Sequence, residues 1–286
     1  MADWHKIGSR GSVDDRRSAS GVAVGSAGLL SVVILLLNIF GGNNQTTQLV
    51  SSVLTQLQNG QVSQQGATTT FADPRNYKEF ASTILGSNNQ TWKDYVTKSG
   101  RTYTEPTLVL FRSATRSGCG IATSDIGPHY CPTDKTIYLD ETFFEELQAR
   151  FNAKGGDVAE AYVIAHEVAH HVQNELGIMQ EVQRLSAKAP RQANDYSIRT
   201  ELQADCFAGI WAGSVAKQGV IALDEITEAI DAAAAVGDDR IQKSINGAVN
   251  PETWTHGSSE QRVRWFTVGY NTGEPAKCET FAANAL

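Results

Sequence analysis

Twenty consecutive residues without a charge, Gly21 to Phe40, stand out from an otherwise mixed chain. As a helix, about 20 apolar residues span the roughly 30 Å hydrocarbon core of a bilayer, so this stretch predicts one transmembrane anchor. Lys6, Arg10, Arg16 and Arg17 precede it, and no charged side chain follows until Asp73. The positive-inside bias then places residues 1–20 in the cytoplasm as a tail and the bulk of the chain outside, in a periplasm or at the cell exterior. A cleaved signal peptide has a shorter apolar region, and no clear Ala-x-Ala site follows here. Gly21 and Gly25 form a small-xxx-small pair through which two anchors can associate weakly. Residues 41–72 are rich in Gln, Asn, Thr, Ser and Gly and read as a flexible polar linker, with one weak helix around Leu49 to Leu57.

From residue 73 to residue 286 the periodicities are those of a folded domain. Asn76 to Leu85 and Gln90 to Thr97 read as helices, Thr107 to Phe111 and Thr136 to Leu139 as short strands, and Thr142 to Asn152 as a helix. Gly155-Gly156-Asp157 then opens a long helix. Asp157 is its expected N-cap, Glu160 makes a capping-box pattern, and Gly177 is its left-handed stop. A second long helix runs from after Asn194 to Lys217, with Ile198, Leu202, Cys206, Ile210 and Trp211 recurring on one face. Further helices are expected at about 223–235, 238–246 and 258–268, the last capped by Ser258 or Ser259. Few strands, many helices and no strand–helix alternation predict a helix-rich α+β fold with a small sheet.

Composition narrows the function. Hydrophobic residues make up 41% of the 286 and charged residues 19%, enough for a substantial core. The formal net charge is −7 and no block of Lys or Arg appears, which argues against a nucleic-acid partner. Cys119, Cys131, Cys206 and Cys278 show no Cys-x-x-Cys spacing, so neither a zinc ribbon nor a thioredoxin-type site is indicated. Outside the cytoplasm they can form disulfides. Three pairings are possible. Proximity favours Cys119 with Cys131, worth roughly 3 kcal/mol by loop closure, and leaves Cys206 for Cys278.

The chemistry sits on the first long helix. His166-Glu167-Val168-Ala169-His170 places two imidazoles at i and i+4 on one helix face, where they can grip one Zn²⁺, with Glu167 between them as a general base. A catalytic zinc takes three protein ligands. The third is expected from Glu201-Leu-Gln-Ala-Asp205 on the second long helix, whose two carboxylates share a face. Glu201 is assigned to the metal. Asp205 is assigned to the far ring nitrogen of a ligating His, a support typically worth about 10- to 100-fold in affinity or activity. His171 points about 100° away from His170 and is expected to pack instead, and Glu175 is expected at the surface. His256 or Arg262 is a candidate for the oxyanion of amide hydrolysis, with His256 assigned to the catalytic set and Arg262 placed behind the ligands with Asp205, against the plainer reading of a loop His and a surface Arg. Tyr138 lies on a strand that can form the edge beside a peptide cleft, although ordinary packing explains its side chain. His5 and His129 have no expected metal role.

These residues carry a resemblance. Gly118-Cys119-Gly120, the run Gly127 to Pro132, Ala161 to Gln173, Glu201 to Gly209, Gly237-Asp238-Asp239-Arg240 and Thr255 to Phe266 together resemble the bacterial, membrane-anchored "putative neutral zinc metallopeptidase" family. That resemblance implies a zincin-like fold and peptidase activity. More distantly, the chain is similar to zincins with a downstream Glu-x-x-Ala-Asp and a later His–Arg segment, here His256 and Arg262. Residue 169 departs from the pattern: it is Ala where the family's His-Glu-Val-Gly-His has Gly.

The expectation is therefore a membrane-anchored zinc endopeptidase acting on peptides. Its rival is a non-catalytic envelope protein that binds zinc or peptides; a structural zinc site needs four protein ligands, and the sequence offers no fourth. A zinc amidase acting on cell-wall peptides ranks below both, because nothing indicates sugar binding.

Overall fold

A computed structural model describes residues 1–18, 73, 75–151, 153–284 and 286. Among them are strands β1 (Ser12–Asp15), β2 (Thr107–Leu110), β3 (Ala114–Ser117), β4 (Gly120–Thr123), β5 (His129–Cys131) and β6 (Thr136–Leu139). The helices are α1 (Tyr77–Lys98), α2 (Thr142–Phe151), α3 (Asp157–Glu175), α4 (Ile178–Lys188), α5 (Ala193–Lys217), α6 (Ile226–Ala235), α7 (Asp238–Asn246) and α8 (Ser259–Thr272). One sheet has the order β1-β2-β6-β5, with β1, β2 and β6 parallel and β5 antiparallel, and β3–β4 is a separate hairpin. The architecture is the expected helix-rich α+β.

Helix α3 runs through the centre. Fourteen of its residues are buried, among them Val158, Tyr162, Ala165, Val168, Ala169 and Val172. It packs between α1, α5 and α6. Helix α8 lies on α5 at very short range, because glycines face backbone there. A Cβ on Gly269 would come within 1.8 Å of the Cys206 carbonyl, and one on Gly209 within 2.1 Å of the Phe266 carbonyl. Side chains at either position would drive the helices apart.

Several elements differ from the sequence reading. α1 is one helix, not two: Gly86, Ser87, Asn88 and Asn89 look like a break but are buried. Ser87 Oγ and Asn88 Nδ2 donate to the Ile84 carbonyl, and Trp211 Nε1 donates to Ser87 Oγ, so packing overrides local propensity. Asp157 is not the N-cap of α3. Gly156 holds that position, and the Asp157 carboxylate accepts from the Ala2 amide and Trp4 Nε1. Glu160 pairs with Arg75 rather than closing a capping box. Glu175 is not a surface residue; its side chain is 5% exposed and pairs with Lys135 at 2.8 Å. The strand of Tyr138, β6, is bonded on both sides, so the sheet edge is β5. Tyr138 stacks on His129 and donates to Asp134.

Residues 1–17, expected to stand apart as a tail, lie on the domain and supply β1, which pairs with β2 from Ser12↔Thr107 to Asp15↔Leu110. The expected anchor at 21–40, its Gly21–Gly25 pair, the linker 41–72 and the helix near 49–57 fall outside the described residues. Among the described residues no helix is long and apolar enough to cross a membrane. The disulfides are Cys119–Cys131 and Cys206–Cys278.

Candidate metal centre

Two helices build the site. α3 presents His166 and His170 one turn apart, and α5, packed across it, presents Glu201. His166 Nε2 lies 3.2 Å from His170 Nε2 and 3.1 Å from Glu201 Oε2, and His170 Nε2 lies 3.4 Å from Glu201 Oε1. With metal–ligand bonds of about 2.0–2.2 Å, neighbouring ligand atoms in a tetrahedral zinc site are separated by about 3.3 Å. The observed triangle therefore has the size a zinc ion needs, and its two nitrogens and one carboxylate are a usual zinc donor set.

Each imidazole is oriented through its other nitrogen. His166 Nδ1 donates to Asp205 Oδ1 at 2.9 Å. His170 Nδ1 donates to Gln173 Oε1 at 2.9 Å, whose amide in turn donates to the Thr200 carbonyl and to Gln203. A proton on both Nδ1 atoms leaves both Nε2 lone pairs for a metal. Gln173 escaped the sequence reading; its spacing of three from His170 on the same helix was the available signal.

Asp205 is fully buried. Besides His166 it accepts from Tyr162 OH at 2.5 Å and from Arg262 Nε and Nη2 at 2.8 and 3.0 Å. Burial disfavours its charge, but Arg262 and His166 hold its carboxyl below the usual range. Arg262 is itself 3% exposed and also donates to the Val236 carbonyl. It braces Asp205 from behind, in the supporting place given to it beside Asp205 rather than in the oxyanion role. In the metal-free site burial works against an imidazolium at His166, yet Asp205 and Glu201 outweigh it and raise the group to about 10.

Glu167, on the same turn, is 6% exposed, and its carboxylate is among the charges felt by His170. His256 sits on the loop before α8 with 43% of its side chain exposed. A Cβ on its neighbour Gly257 would stand 3.3 Å from Ile198 and Leu202, on the turn of α5 that carries Glu201. Asp238, at the start of α7, holds this loop: its Oδ2 accepts the amides of Thr255, His256 and Gly257, and its Oδ1 lies 3.2 Å from His256 Nδ1. Partial desolvation opposes charge on His256, while Asp238 and Glu201 raise its pKa. In the sequence Asp238 carries no signal of this role beyond its place in Gly237-Asp238-Asp239-Arg240.

His171 is not a ligand. It is fully buried, donates through Nε2 to the Thr104 carbonyl and faces Tyr130 OH through Nδ1. His129 stacks on Tyr138, and His5 lies in an exposed turn over residues 4–6.

The family model described as "Putative neutral zinc metallopeptidase" matches residues 2–281. The chain belongs to that family. It is 40% identical to the Escherichia coli K12 protein YpfJ over 291 residues, covering 97% of this chain and 98% of that one. It is 51% identical to the Mycobacterium tuberculosis protein Rv2575 over 194 residues, covering 64% of this chain and 65% of that one. No solved structure matches the chain. The family match begins within the amino-terminal segment that β1 belongs to, so this segment and the metal helices fall under one family description.

Proposed function

We propose that the chain is a zinc-dependent endopeptidase with a zincin-like catalytic domain, and that His166, His170 and Glu201 hold one Zn²⁺. The observation that carries this reading is the triangle of His166 Nε2, His170 Nε2 and the Glu201 carboxylate, with edges of 3.1, 3.2 and 3.4 Å. Among the described residues the cluster contains three ligand groups, whereas a closed structural zinc site takes four. This favours catalysis over the envelope-binding alternative.

Zinc held there would lower the pKa of a bound water toward about 7, which would supply a nucleophile at neutral pH, and would polarise the scissile carbonyl. Glu167 accepts the proton from the attacking water and passes it to the leaving amine, a role worth about 10²- to 10⁴-fold. His256 donates to the oxyanion of the tetrahedral species, and Asp238 fixes the ring for that task. Asp205 and Gln173 hold the two ligating imidazoles in the required tautomer, and Arg262 keeps Asp205 ionised. Residues 21–40 are the segment through which the chain meets a bilayer.

Glu167→Gln tests the assignment. The variant is expected to bind one equivalent of zinc by elemental analysis and to lose hydrolysis of a peptide library. Undiminished cleavage would refute the role of Glu167.

A further inference from the structure

The amino-terminal segment is built into the domain at every level of packing. Trp4 stacks on Trp211, meets Phe80 edge-on and donates to Asp157 at 2.7 Å. Ile7 is buried in the main core. The Gly11 amide donates to the Ser82 carbonyl, and Ser82 Oγ donates back to the Gly11 carbonyl. Both surfaces are shaped for this contact. A Cβ on Gly86 of α1 would stand 2.5 Å from the Arg10 backbone, and one on Gly11 would stand 2.5 Å from Leu85. β1 then covers the edge of β2, and the Arg16 amide extends the pairing to the Leu110 carbonyl. Finally Arg17, whose side chain is wholly buried, pairs with Asp15 at 2.7 Å, Glu141 at 2.9 Å and Asp73 at 2.9 Å. Asp73 also accepts the amides of Tyr77 and Lys78 and so is fixed to the start of α1.

Arg17 and Asp73, the described residues on either side of 19–72, are therefore held together by an ion pair. One passage through a bilayer separates the two ends of a segment by about 30 Å of hydrocarbon. It also puts strand partners on opposite faces, where β1 cannot bond to β2. Neither condition is compatible with a 2.9 Å contact between the flanking side chains.

We propose that residues 1–17 and the domain that begins at residue 73 occupy the same side of the membrane. The arrangement with the tail inside and the domain outside is excluded for the docked chain. The proposal is independent of whether the domain cleaves peptides. With two disulfides, the shared side is the oxidising one.

Labelling with a membrane-impermeant maleimide tests it in the full chain. All four native Cys are in disulfides, so an introduced Cys is the only free thiol. Gly8→Cys lies where an added Cβ meets nothing within 4 Å, and Leu223→Cys replaces a side chain that is 81% exposed. In spheroplasts with a sealed membrane, both variants are expected to label to the same extent as after detergent. Protection of both until detergent is added would keep the shared side and overturn its oxidising character. Labelling of one and protection of the other would overturn the proposal. Hydrogen exchange on the unmodified full chain gives a second measurement: the Gly11 and Arg16 amides are expected to be protected, and exchange at the rate of an open chain would show that the segment is not docked.

Discussion

Replacing Asp205 by Asn keeps the shape of the side chain and changes only charge and hydrogen bonding, so its cost can be worked from the site. Oδ1 receives Tyr162 OH, His166 Nδ1 and Arg262 Nη2, and Oδ2 receives Arg262 Nε. Every partner is a donor. An amide nitrogen placed on either side therefore faces at least one N–H or O–H, and Arg262 loses its counter-charge in a place where it is 3% exposed. Breaking a buried ion pair from one side costs about 3–5 kcal/mol, a large share of the about 5–15 kcal/mol that holds a domain together. Replacing the carboxylate behind His166 by a neutral amide should separately weaken zinc binding by about 10- to 100-fold. Urea unfolding of the protein in chelator reads the first effect, and zinc titration against a competing chelator reads the second. The double variant Asp205→Asn/Arg262→Met distinguishes them. With the stranded charge gone, stability should return most of the way, while zinc affinity stays low. A single variant within about 0.5 kcal/mol of the parent, with unchanged zinc affinity, would refute the reasoning.

Three further outcomes follow from the same geometry. Gln173→Met should preserve the fold and lower zinc affinity by about 10-fold, because His170 loses its acceptor; an unchanged chelator titration would show that Gln173 does not orient the ring. Metal-free protein should lose stability as pH rises. Its His166 is raised to about 10, so the folded state keeps a proton that the unfolded chain releases above about 6.5; the contribution is complete below that pH and is lost through about 10. Unfolding midpoints in chelator that are flat over this window would contradict it. Gly269→Ala should cost about 1–3 kcal/mol by overpacking and should shift α8 and its Arg262, detected as a lower unfolding midpoint; parent-like stability would mean the helices yield without strain.

The metal helices were legible because their periodicity is long and the chemistry is spaced by the helix itself: His166 and His170 at i and i+4, Glu201 and Asp205 likewise. What escaped was short or decided from far away. β1 is Ser-Val-Asp-Asp, and β5 is His-Tyr-Cys; neither is long enough to display a clear alternation. α4 has no fully buried residue; it lies at the rim, where Met179 packs against the core from outside. α1 was split at Gly86 because the reason for that glycine is the backbone of Arg10, some 76 positions away along the chain. The environments of Glu175 and Arg262 depend on Lys135 and Asp205, partners that no local pattern announces.

The bond between Cys206 and Cys278 starts one residue after Asp205, on the helix that carries Glu201. Residues 206–278 thus form a covalent ring that includes α6, α7 and α8, and with them Asp238, His256 and Arg262. Half of the site's supporting cast is threaded on this ring, and the clasp is one residue from Asp205. If α8 peels away from α5, its residues remain within reach of their partners instead of diffusing off. A single backbone cut within the ring leaves both pieces joined at the clasp, so the centre can reassemble from a broken chain.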